Sequence, residues 1–111
     1  MTKSIFINQK CVETSPHFMK ELLDCFSEHF DVTLYSLNEK ESDRLKVEDW
    51  LIESELPIDE VLLRPDDNWN PAETCLLQLI EGKKPLVFIE GNEYLVQALR
   101  NDGHKVLEYD S

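Results

Sequence analysis

The chain has 111 residues, of which 23 are acidic and 11 basic, giving a formal net charge of −12. That length suits one domain, residues 1–111, with a real core and is short for a two-domain enzyme. The charge makes nucleic acid an unfavourable partner and a basic protein a favourable one, and no apolar run approaches the roughly 20 residues that span a bilayer.

Ser4–Asn8 reads as a first strand whose Ile5-Phe6-Ile7 run suits a central parallel strand covered on both faces. A helix follows, with Ser15 as cap, Pro16 at the first helical position, and Phe18, Leu22, Cys25 and Phe26 at helical spacing. Cys25 among those apolar neighbours is expected in the core. Asp31–Tyr35 is a second strand, and Glu39–Ile52 a helix with Leu45, Val47, Trp50 and Leu51 near one side. Pro57 separates it from a third strand, Glu60–Leu63. The polar loop RPDDNWNP leads into a short helix, Ala72–Ile80, and then a strand, Leu86–Ile89. Glu93–Arg100 is the last helix, with Leu95, Val96 and Leu99 inward. Gly103 suits the left-handed position that stops it, and Lys105–Tyr109 is a final strand.

Strands alternate with helices throughout, which predicts an α/β domain with a mostly parallel sheet and helices on both faces. Ligands of such sheets sit beyond the carboxyl ends of the strands. Those ends are Asn8–Cys11, Ser36–Asn38, Arg64–Asp67 and Glu90–Asn92.

The strand ends IFINQKC, VTLYSLNEK and LVFIEGNEYLVQAL resemble those of haloacid dehalogenase-like phosphatases, most closely the compact members related to polynucleotide 3′-phosphatases. The resemblance runs over nearly the whole chain and rests on order and spacing. It implies a Rossmann-like three-layer sandwich, a five-stranded sheet and no large cap domain. It also implies that Asn8 stands where the family keeps its aspartyl nucleophile and Lys10 where it keeps the second, acid/base Asp. An amide cannot form the acyl-phosphate, and an ammonium cannot take the carboxylate's role. Ser36 matches the hydroxyl that bonds the phosphoryl group, although a serine after a strand is also an ordinary loop residue. Cys75 falls at the family's charge-balancing Lys. Glu90 and Gly91 fall at the acidic pair that helps position Mg²⁺, which wants several oxygen ligands. The resemblance therefore implies an inactive relative with no resident metal or cofactor.

Other constellations carry less. Cys11 lacks the glycines and the Arg of a cysteine-phosphatase loop, since His17 stands at that Arg's place. His17, His29 and His104 form no metal spacing with Cys11, Cys25 and Cys75, and three scattered cysteines fit reduced cytosolic thiols. Without a long apolar leader in MTKSIFINQK, the expected location is the cytoplasm. Trp69, flanked by Asp66, Asp67, Asn68 and Asn70, is either a partner-recognition residue or an aromatic folded back over the sheet edge.

The resulting expectation is a phosphatase-like fold without phosphatase activity. It acts through protein contacts as an accessory or inhibitory module, in the style of phage and other mobile-element proteins. A homodimer is compatible with it. The alternatives are a residual Mg²⁺-dependent phosphatase or phosphotransferase using Glu90 and Ser36, and an anion-binding module in which Lys10 and Ser36 hold a phosphate or nucleotide.

Overall fold

The structure, a computed structural model, describes residues 3–37, 41–65 and 68–109, with the side chains of 41–45 and 48 left aside. Five strands form one sheet: β1 (Ser4–Asn8), β2 (Asp31–Ser36), β3 (Glu60–Leu63), β4 (Val87–Glu90) and β5 (Val106–Glu108). Their order is β3-β2-β1-β4-β5, and every pairing is parallel. The helices are α1 (Gln9–Thr14), α2 (Pro16–Ser27), α3 (Glu41–Ser54), α4 (Ala72–Leu79) and α5 (Glu93–Asn101).

Period-two alternation splits the core into two layers. Ile5, Ile7, Val32, Leu34 and Ile89 pack with Val12, Met19, Leu23 and Val47 on the α1–α2–α3 face. Phe6, Tyr35 and Phe88 pack with Leu76, Ile80, Leu95 and Leu99 on the α4–α5 face. Both faces of the central strands are covered, which is why β1 and β4 read as continuous apolar runs. Burial of each such aliphatic or aromatic side chain contributes about 1.5–3 kcal/mol against the entropy of ordering the chain. The outer edge of β5 is partly blunted, because Arg100 of α5 donates to Val106 O at 3.2 Å. Among the described residues no helix is long and apolar enough to cross a membrane.

Three sequence expectations need correction. Between β1 and the anticipated helix lies α1, so the residues after Asn8 are helical and not a loop. Ser15 joins the two helices at φ −140° and its side chain makes no capping bond. In α2 the inward residues are Met19 and Leu23, while Phe18 is 54% exposed and Cys25 lies at the surface. The apolar stripe there is wide, and packing against β2 selects its Met19–Leu23 edge. Remaining element ends shift by one or two residues, and Leu45's side chain lies outside those described. Gly103 has φ +90°, as its place after α5 requires.

Candidate functional site

The strand order turns back between β1 and β4: connections run outward from β1 to β3, then jump to β4 and continue outward to β5. The carboxyl ends of β1 and β4 flank that switch point, where open α/β sheets place ligands. Register and alternation bring three polar side chains together there. Asn8 is paired with Tyr35, and Ile7 with Ile89, so Asn8, Tyr35 and Glu90 occupy neighbouring strands. All three lie on the side of Phe6 and Phe88, facing α4 and α5.

The resulting cluster is closed on itself. Glu90, only 2% exposed, is its centre. Oε1 accepts from Asn8 Nδ2 at 2.7 Å and from the Tyr35 hydroxyl at 2.8 Å. Oε2 accepts from the backbone N–H of Gly91 at 2.8 Å and of Asn92 at 2.9 Å. Both carboxylate oxygens thus have two donors each. Asn8 is used twice, since its Oδ1 also accepts from Lys10 N at 2.9 Å and caps α1. Among the described residues no buried side-chain N or O atom lacks a partner.

Charge and burial shape two neighbours. Burial first, then the Glu90 charge and hydrogen bond, push the Tyr35 hydroxyl well above its usual range. Burial and the Glu90 charge push the Cys11 thiol up to about 11. Burial and the neighbouring carboxylate thus favour the thiol form of Cys11 over the thiolate. Both folded values lie above the unfolded ones, so their stabilisation is intact below pH ~9 and is lost as pH rises toward 11 and beyond. Alkaline unfolding followed by circular dichroism is expected to show this descent. Tyr35→Phe, which removes one titrating group, is expected to make it shallower.

Of the other predicted positions, Lys10 and Gly91 join this cluster through their backbone N–H groups. Lys10 is exposed in the first turn of α1. Ser36 is 1% exposed at the end of β2, so its hydroxyl offers no open face to a phosphate. Cys75 is buried in α4, with Sγ 3.3 Å from Asn70 O. Gly91 is required by close packing: a Cβ there would lie 2.5 Å from Tyr109 O, on a segment held by Tyr109 N–H donating to Glu90 O at 2.9 Å. Among the described residues, no group of three or more His, Cys, Asp or Glu is placed to hold a metal ion.

Tyr35, Asn92 and Arg64 were not singled out from the sequence. Tyr35 sits opposite Asn8 in the β1–β2 register, a pairing that the sequence alone does not reveal. Arg64, 6% exposed at the end of β3, donates through Nε to Asn68 O (3.3 Å), Nη1 to Leu37 O (3.3 Å) and Nη2 to Asn70 O (2.6 Å). It ties the loops after β2 and β3 together. Asn68 and Asn70 also donate to Gln78 Oε1, at 2.8 and 3.5 Å. Between them Trp69 is 91% exposed, so it does not fold back over the sheet edge. Asp66 and Asp67 lie outside the described residues.

With this geometry in hand, comparison with known proteins is informative about architecture. No protein-family model and no curated protein matches the chain. Among solved structures it is similar to a chain of a Pnkp1/Rnl/Hen1 complex, with TM-score 0.81 and 11% identity over 99% of this chain and 46% of that one. It is likewise similar to a chain of a Pnkp1/Rnl/Hen1 RNA repair complex, with TM-score 0.82 and 11% identity over 99% of this chain and 43% of that one. The chain has a haloacid dehalogenase-like fold. It spans less than half the length of these two matched chains. At the two strand ends where the resemblance implies a nucleophile and a metal ligand, Asn8 and Glu90 are bonded to each other. Between β1 and β2 stand only α1 and α2, with no large cap.

Proposed function

We propose that this haloacid dehalogenase-like domain is catalytically silent and works as an acidic protein-binding module, in an accessory or inhibitory role. The observation that carries this reading is the saturation of Glu90 by four internal donors, one of them Asn8. A phosphatase of this architecture needs a carboxylate nucleophile and oxygen ligands free to meet a cation. Here the amide at that position has no nucleophilic oxygen and spends its N–H on the Glu90 carboxylate. Removing that carboxylate from its donors to bind a cation would leave Asn8 and Tyr35 unpaired in the core, a cost of about 1–3 kcal/mol for each.

The partner half of the proposal draws on Trp69. Its loop is fixed by Arg64 and Gln78, so a large aromatic is presented to solvent on a pre-organised support. The net charge of −12 favours a basic partner through electrostatic steering. The two matched structures are themselves complexes, which is in keeping with a partner-binding role.

A thermal-shift titration with MgCl₂, phosphate and both together tests the silent site. The expected result is that MgCl₂ adds no saturable stabilisation, alone or beside phosphate, and that no phosphomonoester is hydrolysed. A saturable Mg²⁺-dependent rise in Tm that Glu90→Gln removes would overturn it. On the binding side, Trp69→Ala is expected to leave stability within about 0.5 kcal/mol while weakening partner capture.

A further inference from the structure

The amino-terminal end of the sheet, opposite the Glu90 cluster, holds a cavity of about 350 Å³ whose lining includes Lys3, Lys84, Lys105 and His104 and no acidic residue. We propose that it is a binding site for a compact multivalent phosphate anion. The inference is independent of whether the Glu90 cluster is silent.

Topology is what gathers these cations from three distant parts of the sequence. Lys3 precedes β1, Lys84 leads into β4 and Lys105 precedes β5, and these three strands are neighbours. Leu86 N donates to Ser4 O at 2.8 Å and Phe88 N to Lys105 O at 2.9 Å, which fixes the three entries in register. At about 4.8 Å between strands, they fall within about 10 Å of one another. Long ammonium side chains at that spacing can converge on one ligand.

Among the described residues Lys3, Lys84 and Lys105 make no ion pair, whereas adjacent Lys83 pairs with Glu60 at 3.8 Å. The acidic residue next to the cavity in sequence, Asp102, is engaged by His104 Nε2 at 3.1 Å. His104 also packs against Phe88 in a T-shaped contact, at 5.0 Å between ring centroids. Gly103, also in the lining, takes φ +90° and adds no side chain to the opening.

Three lysines facing one concavity repel each other, and among the described residues none is offset by a carboxylate at ion-pair distance. A phosphate-type anion answers that arrangement, with several acceptor oxygens and at least two charges, so that attraction to three nearby ammonium groups outweighs the more distant, screened repulsion of the rest of the molecule.

The test is a ¹H–¹⁵N titration of the whole chain with pyrophosphate at low ionic strength, beside sodium chloride of matched ionic strength. Saturable shifts at the amides of Lys3, Lys84, Gly103 and Lys105 are expected with pyrophosphate alone. K84A/K105A is expected to weaken binding about tenfold or more, while K20A/K46A, at exposed positions outside the cavity, leaves it unchanged. Shifts reproduced by chloride, or indifferent to K84A/K105A, would overturn the proposal. Oligonucleotides with and without a terminal phosphate distinguish the source. Binding that requires the terminal group supports a phosphomonoester ligand, and equal binding of both without a pyrophosphate response overturns the compact-anion assignment.

Discussion

Asn8→Asp is expected to destabilise the protein by about 3 kcal/mol or more at neutral pH, and to make its stability depend on divalent cations. The substitution is nearly isosteric and isolates one atom. Oδ1 still caps α1 through Lys10 N, whereas the Nδ2 donor to Glu90 is replaced by an oxygen at a site that was 2.7 Å away. Two carboxylates in that space cannot both stay charged and close, so one is driven to hold a proton. The folded pKa of the pair then lies above the unfolded value. Its stabilisation is intact below the ordinary carboxylate range, ~4, and is lost as pH rises through the raised folded value. The gap between variant and wild type should therefore narrow on acidification.

At neutral pH the expected fall in Tm is on the order of 10–20 °C for a chain of this size. Mg²⁺ or Ca²⁺ should recover part of it, because a cation between the introduced carboxylate and Glu90 replaces the lost donor with a stronger positive charge. Asn8→Ala loses both the cap and the donor, and should be destabilised without a cation response. Thermal melts of the three proteins with and without divalent salt decide the matter. An Asn8→Asp variant as stable as wild type at pH 7 would show that the amide does not lock Glu90.

Arg64→Ala is the second large effect, about 3 kcal/mol, and it acts on the Trp69 loop from below. The guanidinium is buried and serves Leu37 O, Asn68 O and Asn70 O, acceptors from two loops. Its removal leaves those three carbonyls without their shared donor and empties the space the guanidinium filled. Arg64→Lys should recover little, because an ammonium cannot reproduce a planar fork with three separated directions. The chain has two tryptophans, so Trp50→Phe leaves Trp69 as the sole indole fluorophore. In that background Arg64→Ala is expected to lower the steady-state anisotropy of Trp69 well below its value in the parent. Unchanged anisotropy would mean that the Asn68 and Asn70 bonds to Gln78 hold the loop unaided.

These two residues also mark how far the sequence could be read. Apolar runs and the punctuation of Pro16, Pro57 and Gly103 placed β1 and β3 at their observed bounds and every other anticipated element within about two residues. Alternation of strand and helix gave the parallel sheet. The inner face of α5 was legible because Leu95, Val96 and Leu99 form a compact apolar cluster, whereas α2 offers too many apolar residues for periodicity to choose among them. The short α1 escaped because Gln9–Thr14 has no apolar stripe of its own, and its Asn8 cap looks from sequence like any polar strand end.

What the sequence determined by itself is local and compositional: where chain segments are apolar, where the backbone must turn, how acidic the surface is, and that Asn8 and Lys10 are not carboxylates. What only the tertiary structure decided is which distant residues meet. Glu90 lies 82 positions from Asn8 and 55 from Tyr35, and strand register alone makes them hydrogen-bonded neighbours. The same packing leaves the Lys10 side chain exposed, buries Ser36, and draws Lys3, Lys84 and Lys105 to one end of the sheet. The physical reason is that periodicity fixes which face a side chain occupies, while the contacts across a parallel sheet depend on strand order, and strand order is chosen by how the two apolar layers pack.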